Sequence, residues 1–504
     1  MFMRTLILAG AAALAVPLTP PTPTGPPTNV DASAIDTTVR KYLDDTGLPG
    51  AAVAVTRGTR VVHATGYGHT PDGDPVTEHT PMAVASVSKS FTALAVMQLV
   101  EAGRVDLDGP VQTYLPEFTM ADPRAAEITV RQLLDQTSGM SDTTYRSFSR
   151  RPVPRSLREA VSMMRTARLA AAPGTRWEYH NPNFQVAARL VEVVSGRPFA
   201  DYLREQVFAP LGMADSRTLD VAAEMPSSAR GHLMILGAAV AVPEPPAFGN
   251  GSGGMLSSAY DMAAWLIAQS NHGRGPDGTA VVSPAGLAAM HTPSAVSGSY
   301  ALGWDVGTTA AGAPMISHSG DLFTSTAYQA LLPASGYGVA VMANTGLAFG
   351  DASAIAERII ALLEGTPIPS VSTALVVVDA VLLVLALGTA LLAGWGVLRS
   401  RRWATGRALR PWTFVRLLVL LMPLALFGSI HRIVGVLYRG RDVAWIQVPY
   451  LYPTFMVLLA TATLGCTVVL AARVIRLTHR GQPRPDGPTG SPKDPQLQIR
   501  HKAA

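Results

Sequence analysis

The sequence predicts an α+β domain that is followed by three transmembrane helices. Strand-like segments lie near both ends of the first 366 residues, and segments with a helical spacing of apolar residues lie between them. This order indicates one sheet that is built from both ends of the domain, with helices packed around it. Three apolar runs follow, each near or above the roughly 20 residues that a helix needs to cross a bilayer.

Within the domain, apolar spacing and the glycines and prolines that interrupt it place the elements. We predict helices at 34–46, 91–101, 129–138, 184–195, 259–270 and 351–364. We predict strands at 51–56, 60–67, 300–306, 316–320, 327–332 and 338–344. The segment 219–250 is rich in Ala and Pro and fits neither pattern.

The composition limits the partners and the chemistry. The 504 residues are 48% hydrophobic and only 15% charged, which is too apolar for a purely soluble protein. The net charge of +5 comes from the C-terminal part, so it indicates a membrane surface and no nucleic acid. The single cysteine, Cys466, rules out an intrachain disulfide and a cysteine-based metal site. We expect no metal or cofactor, and the sequence leaves the oligomeric state open.

Four regions follow from these patterns. Residues 1–30 resemble a signal peptide followed by a Pro-rich linker, although an uncleaved N-terminal anchor is the alternative. Residues 31–366 form the α+β domain, and residues 367–480 hold the three transmembrane helices at 371–398, 413–430 and 446–472. Residues 481–504 are polar and Pro-rich, which is typical of a disordered tail, here on the cytoplasmic side.

Arginines predict the orientation in the membrane. They crowd the first connection, at 399–410, and follow the third helix, so both segments should be cytoplasmic. The α+β domain is then extracytoplasmic, in a multi-pass protein of the cell membrane. Arg432, Arg439 and Arg441 near the second connection weaken this contrast.

Asp379 lies within the first apolar run, about two turns from its outer end. An acidic residue inside a membrane often marks a functional path. We favour a simpler interpretation, in which Asp379 forms an ion pair with His431 or Arg432.

The pair Ser86-x-x-Lys89 is the first candidate for chemistry. Residues three apart share a helix face, so the two side chains can touch. A buried lysine loses its charge and can then take the proton of a serine hydroxyl, which activates the oxygen as a nucleophile. The alternative is a helix-capping Ser86 with a solvated lysine. The chain has four lysines and otherwise uses arginine, which cannot give up its proton, so a lysine here indicates a titrating amine.

Two later segments could complete a site. Tyr179 and Asn181 are two apart and point the same way on an extended segment. A phenol near an ammonium could lose its proton below its usual pKa, and an asparagine could hold a substrate amide. His318 could place a proton donor beside the nucleophile, and Gly320 would let a substrate backbone approach. The alternatives are a Tyr179 that packs beside Trp177 and a structural histidine.

The Gly-rich segment 248–255 lacks the sequence context of a phosphate-binding loop. We interpret it as a tight loop at the rim of a cleft.

Together these motifs resemble the serine β-lactamase and penicillin-binding-protein-like hydrolases, nearest the branch of class C β-lactamases, D,D-peptidases and esterases. The resemblance runs from about Ile35 to Glu364. Its order of motifs is Ser86-x-x-Lys89, 128–140, Pro173-Gly with Tyr179-His-Asn181, 253–261, 300–304 and His318-Ser-Gly320. It implies a β-lactamase/transpeptidase-like antiparallel sheet flanked by helices, with an all-helical insert.

The same resemblance implies roles for these residues. Ser86 would be the acylated nucleophile, Lys89 its partner, and Tyr179 and His318 would share the proton transfers. Substrate would be bound by Asn181, Ser319 and Gly320. The backbone N–H groups of Ser86 and Asp321 would form the oxyanion hole.

Two departures from the family pattern qualify the function. Many β-lactamases carry Lys-Thr-Gly where this chain has His318-Ser-Gly320, whereas related peptidases and esterases often carry His. We therefore favour a carboxypeptidase or an esterase over a true β-lactamase. The following segment, 321–326, lacks the Gly and Pro that similar chains often show, so the shape of the pocket there is not predicted.

The first hypothesis is a membrane-anchored serine hydrolase that acts through an acyl-enzyme on a small-molecule or peptide substrate. D-alanyl peptides, esters and β-lactams are the open choices. A second hypothesis is a non-catalytic, penicillin-binding-like sensor that signals through its membrane helices. A third is that these helices bind or transport a lipid, with Asp379 taking part.

Overall fold

The computed structural model describes residues 30–372, 374–405, 411–438 and 440–479. The predicted signal peptide, nearly all of its linker, and the predicted tail lie outside these residues. The described residues form two compact units, and the chain passes between them after Leu383, Gly428 and Met456. The first unit thus holds the α+β domain together with the connection at 429–456.

The strands are short in the middle of the domain and longer at its ends. They are β1 (Gly50–Arg57), β2 (Arg60–Gly68), β3 (Met82–Ala83), β4 (Arg217–Thr218), β5 (Gly231–Ile235), β6 (Ala238–Val242), β7 (Met255–Ser257), β8 (Asp305–Thr308), β9 (Pro314–Asp321), β10 (Thr326–Leu332) and β11 (Tyr337–Ala343).

The helices of the α+β domain fill the sequence between these strands and close its end. They are α1 (Ala32–Thr46), α2 (Ser88–Glu101), α3 (Val111–Tyr114), α4 (Val130–Leu134), α5 (Leu157–Ser162), α6 (Pro182–Ser195), α7 (Phe199–Leu203), α8 (Ala209–Leu211), α9 (Ala259–Ser270), α10 (Pro284–Met290) and α11 (Asp351–Glu364).

The C-terminal part of the described chain is helical. Its elements are α12 (Ala374–Leu398), α13 (Ser400–Thr405), α14 (Pro411–Leu418), α15 (Met422–Leu437), α16 (Val448–Leu451) and α17 (Pro453–Thr478).

One antiparallel sheet organises the domain, and it uses strands from both chain ends. Its order is β2-β1-β11-β10-β9-β8, so the first hairpin pairs with the last strand through β1 and β11. Residues on a strand alternate between its two faces. In β1, Ala51, Val53 and Val55 therefore pack with α1 and α11, whereas Ala52 and Ala54 join the larger core around α2 and α9. The predicted fold class is confirmed.

The large core holds the helix that carries the reactive pair. Phe91 of α2 is fully buried, and its ring centre lies 3.7 Å from that of Trp265 on α9. The indole N–H of Trp265 donates to Gln329 of β10 at 3.0 Å, and Gln329 in turn donates to Ser90 of α2 at 3.0 Å. These contacts fix α2 against the sheet.

Two predicted elements differ from those observed. The helix predicted to begin after Thr129 does have the Thr129 cap, but it ends at Leu134, since Gln136 adopts a left-handed backbone with φ of 63°. The strand predicted at 300–306 begins only at Asp305. The preceding turn brings Gly303 so close to α2 that a Cβ atom there would lie 2.9 Å from the Lys89 carbonyl oxygen. The unassigned segment 219–250 contains the hairpin β5–β6.

Three C-terminal helices are long and apolar enough to cross a membrane. They span Ala374–Leu398, Pro411–Leu437 and Pro453–Thr478, with 25, 27 and 26 residues. The second is interrupted by a 3-10 turn at Val419–Leu421, just before Pro423, where proline weakens the regular helical hydrogen bonding. In the second unit, Thr463 Oγ1 donates to the Pro423 carbonyl at 3.1 Å.

The expected ion pair of Asp379 is wrong. Its carboxylate accepts hydrogen bonds from the backbone N–H of Leu236 at 3.0 Å and from Thr454 Oγ1 at 2.7 Å. Neither His431 nor Arg432 pairs with it in the described part of the chain. A neutral hydroxyl and a main-chain N–H thus satisfy the carboxylate, a choice that sequence spacing does not reveal.

We expect Phe91→Ala to lower the free energy of unfolding by about 3–5 kcal/mol, because it removes a buried ring and leaves a cavity beside Trp265. Unfolding of the full chain followed by tryptophan fluorescence measures this change. Val61→Ala, at a side chain that is 45% exposed, is the control and should change stability by less than about 0.5 kcal/mol. Equal losses for the two variants would contradict this account of the core.

Candidate active site

Ser86 lies in a strained turn that leads into α2. The 3-10 turn spans Ala85–Val87, and Ala85 has a φ of 49°, which is costly for a residue with a Cβ. Ser88 holds the turn in place, because its hydroxyl donates to the Ala85 carbonyl at 2.6 Å and accepts from the N–H of Met255 at 3.2 Å. The Ser86 side chain is thereby kept half-buried at the wall of a cleft.

Lys89 is fully buried one turn later, and its Nζ lies 3.0 Å from Ser86 Oγ. The amine also donates to the carbonyl oxygen of Ser252, 2.6 Å away in the Gly-rich loop. Among the described residues no carboxylate forms an ion pair with it. Burial, reinforced by the charge of Arg441, holds the pKa of Lys89 well below its usual range. Burial therefore favours the uncharged amine beside the serine, and the lone pair of that form can accept the hydroxyl proton.

Tyr179 covers the same pair, but in a different protonation state from the one expected. Its ring centre lies 4.8 Å from Lys89 Nζ. Burial raises the pKa of Tyr179, and a hydrogen bond with Ser86 only partly offsets this effect. The expectation of a phenol that ionises easily is wrong, because burial disfavours the charged phenolate. The raised pKa favours the protonated phenol in the resting site.

His318 lies on β9 behind Tyr179, with 6.3 Å between the ring centres. Its Nδ1 donates to the Ser319 carbonyl at 2.6 Å, so its Nε2 accepts from the hydroxyl of Tyr300 at 2.9 Å. Burial lowers the pKa of His318 to about 3. Both ring nitrogens are engaged and the ring is neutral. This geometry supports a role in positioning Tyr300 and Tyr179 rather than proton delivery to Ser86.

The end of β9 passes directly alongside the nucleophile. A Cβ atom at Gly320 would lie 2.3 Å from the Val84 carbonyl oxygen and 3.2 Å from the Ser86 nitrogen. Only glycine allows this approach, which brings the next residue, the predicted oxyanion-hole residue Asp321, close to Ser86. Ser319, which pairs with Tyr328, alternates with its neighbours and so faces the other side of the sheet. Its predicted part in substrate binding could then involve only its backbone.

The cleft holds about 730 Å³ of empty space, including its open mouth, and Ser86, Asn181 and Asp321 line it. The Oδ1 atom of Asn181 is buried and has no hydrogen-bond partner among the described residues. The Gly-rich loop forms part of the wall, as expected of a loop at a cleft rim. Most of the remaining lining is apolar: Phe148, Leu219, Val221, Ala222, Met225, Ala247, Phe248, Met255, Leu322 and Phe323.

Sequence reasoning missed three contributors to this site. Tyr300 belonged to a motif of the resemblance but had no assigned role. Ser252 lies in the Gly-rich segment, which we interpreted only as a loop at the rim of the cleft, so its carbonyl had no predicted role. A third group comprises Asp142, His180 and Arg441, in which Asp142 Oδ1 lies 2.7 Å from His180 Nδ1. No motif marks this group, and the adjacency of His180 to Tyr179 was the one available hint.

Replacing Lys89 by Arg should reduce the rate at which a fluorophosphonate labels Ser86 by at least about 100-fold, because a guanidinium cannot accept the serine proton. In the wild type, the rate should fall as the pH falls through the lowered pKa of Lys89, since protonation removes the base. This acid limb should lie well below 10.5. Lys41→Arg, at a side chain that is 72% exposed, is the control. Labelling of Lys89→Arg at the wild-type rate would contradict the assignment.

Gly320→Ala should slow the same labelling by roughly 100-fold, since the added methyl group pushes β9 away from Ser86 and displaces the oxyanion site. Gly307→Ala on β8 is a matched control, because a Cβ atom there meets nothing within 4 Å. Stopped-flow labelling of both variants makes the comparison. If the two variants label equally fast, the close approach of β9 has no catalytic importance.

Comparisons with known proteins point to one family. The profile of the Beta-lactamase family matches residues 35–364. Penicillin-binding protein 4 of Amycolatopsis lactamdurans is 31% identical over 340 residues, which cover 64% of this chain and 88% of that protein. Protein flp of Staphylococcus aureus is 27% identical over 323 residues, and the match covers 63% of this chain and only 64% of the length of flp.

Solved structures show the same fold. The octameric penicillin-binding protein homologue from Pyrococcus abyssi superposes with a TM-score of 0.56 at 27% identity, over 67% of this chain and 78% of that chain. The family match spans the reactive pair, the Tyr179 segment and the end of β9. This chain therefore belongs to the Beta-lactamase family.

Proposed function

We propose that this protein is a membrane-anchored serine hydrolase that works outside the cytoplasm through an acyl-enzyme. Membership of the Beta-lactamase family supports a serine hydrolase in general. The observation that carries the proposal is the 3.0 Å distance between Lys89 Nζ and the hydroxyl oxygen of Ser86. A nucleophile and its base within hydrogen-bonding reach are the minimal requirement for such chemistry.

The first half-reaction uses four residues. Lys89 Nζ takes the proton of Ser86 as Oγ attacks the carbonyl carbon, and the carbonyl oxygen becomes an oxyanion. The backbone N–H groups of Ser86 and Asp321 stabilise that charge. As the bond to the leaving group breaks, the leaving group takes a proton from Tyr179, and the phenolate recovers it from the Lys89 ammonium. Water then attacks the ester, and the same groups release the acid and restore Ser86.

Two features support an amide or a similar planar group as the bond that reacts. Strand β10 pairs with β9 as far as Asp321, but β8 pairs with β9 only as far as Ser317. The outer edge of β9 beyond Ser317 can therefore receive an extended substrate as an added strand. The buried Asn181 Oδ1 can accept a substrate N–H. D-alanyl peptides, esters and β-lactams are the candidate substrates, and His318 favours the first two.

The membrane location rests on the three long apolar helices and on one topological argument. If each helix crosses the bilayer, the segments before α12 and after α15 lie on the same side. Asp442 of the second connection accepts a hydrogen bond from the N–H of Ser149 at 2.7 Å, which requires this common side. The arginines of the first connection then make the opposite side cytoplasmic.

Ser86→Ala should abolish labelling by a fluorescent penicillin or fluorophosphonate, because among the described residues Ser86 supplies the one side-chain hydroxyl that is hydrogen-bonded to Lys89. Mass spectrometry after exposure to a panel of acyl donors should find the adduct on the peptide that contains Ser86. Ser335→Ala, far along the chain in the turn after β10, should label normally. An adduct that persists in Ser86→Ala would contradict the proposal.

A sensor is the second candidate, and one observation favours it. Arg441 and Asp442, on a connection between two membrane helices, contact Asp142 close to the cleft. A ligand that acylates Ser86 could thus influence the helices directly. Repeated turnover of an ester or peptide by the full chain supports the hydrolase, whereas a single stoichiometric acylation without product release supports the sensor.

A further inference from the structure

The connection between α15 and α17 packs against the catalytic domain, although it lies outside the residues that match the family. Asp442 fixes it in two ways: its carboxylate accepts from Ser149 N at 2.7 Å, and its own N–H donates to Asp142 Oδ2 at 3.2 Å. The ring of Tyr450 lies 6.3 Å from that of Phe323, which lines the cleft. A segment from the membrane region thus forms part of the surroundings of the active site.

Arg441 is held in one orientation by this packing. Its Nε lies 2.9 Å from Asp142 Oδ2, while the other oxygen of Asp142 contacts His180 Nδ1 at 2.7 Å. Burial alone would raise the pKa of Asp142, but His180 and Arg441 together lower it, so the carboxylate stays charged. A buried, charged carboxylate that contacts both His180 and Arg441 gives the guanidinium a fixed attachment point.

The far end of the guanidinium lies over the ring of Tyr179 and is partly exposed. Its central carbon lies 5.1 Å from the ring centre of Tyr179, two residues before Asn181. The side chain is 36% exposed, and its two terminal nitrogens make no hydrogen bond to a described residue. Two parallel N–H donors on one edge match the two oxygens of a carboxylate.

We propose that Arg441 is a specificity residue that binds a carboxylate group of the acyl donor. The inference rests on the proposed hydrolase and narrows its substrates to anionic acyl donors. The carboxylate would form a two-pronged contact with the terminal nitrogens of Arg441, while Asn181 holds the neighbouring amide. Residues on a connection between two membrane helices thereby complete a site that the family domain alone leaves open.

Binding of reversible serine ligands to the full chain in detergent tests this inference without requiring turnover. The probes are arylboronic acids that carry a carboxylate on spacers of several lengths, each with a neutral carboxamide twin. Wild type should bind at least one carboxylate probe more tightly than its twin. Arg441→Gln should weaken the binding of that probe by roughly 10- to 100-fold, as expected for the loss of hydrogen bonds to a charged group. It should change the affinity for the carboxamide twin less than twofold.

Control variants separate charge, geometry and folding. Arg155→Gln removes an exposed arginine of the same domain and should leave both probes unchanged. Arg441→Lys keeps the charge but loses the paired donors, so it should recover only part of the affinity. Binding of the carboxamide twin reports that Arg441→Gln is folded with an intact Ser86 site.

The outcomes distinguish this inference from the function on which it rests. If no carboxylate probe binds better than its twin, or if Arg441→Gln weakens both twins equally, Arg441 only fastens the connection and the inference is overturned. If Ser86→Ala leaves the affinity of the carboxamide twin unchanged, the proposed hydrolase fails, whatever Arg441 does.

Discussion

The burial of one amine beside one hydroxyl is the constraint on which the rest of this site depends. Lys89 has no ion-pair partner among the described residues, and it donates to a backbone carbonyl rather than to a carboxylate. A charged ammonium in that position would carry a large desolvation cost, so burial favours the neutral, basic amine. The same burial favours a protonated Tyr179 and an uncharged His318.

The fold creates this environment through close backbone approaches. Helix α2 is buried on nearly all sides, so Lys89, its second residue, is fully buried as well. Gly320 and Gly303 bring the end of β9 and the turn before β8 against the backbone of that helix and of the turn before it. The two ends of the domain sequence are therefore needed together, since α2 comes early in the chain and β9 comes late.

Much of this arrangement could be predicted from the sequence, because it depends on local spacing. The Ser86 and Lys89 pair follows from a helical offset of three, and the sheet from strand patterns at both ends. The protonation of Tyr179 could not be predicted, since it depends on how deeply the phenol is buried in the folded domain. The role of His318 required knowledge of Tyr300, which the sequence placed in a strand. No sequence pattern indicated a role for Arg441 in the site. The contact that anchors its neighbour Asp442 joins it to Asp142, and these two residues are 300 positions apart in the sequence.

The charge of Lys89 is the most direct test of this account. The chain has only four lysines, so isotopic labelling of lysine gives few side-chain resonances, and Lys89→Arg identifies the relevant one. NMR of the labelled full chain in detergent should show, at neutral pH, a Lys89 Nζ with the chemical shift of a free amine. The exposed Lys41 should show that of an ammonium. A Lys89 resonance that titrates together with Lys41 would contradict the central claim.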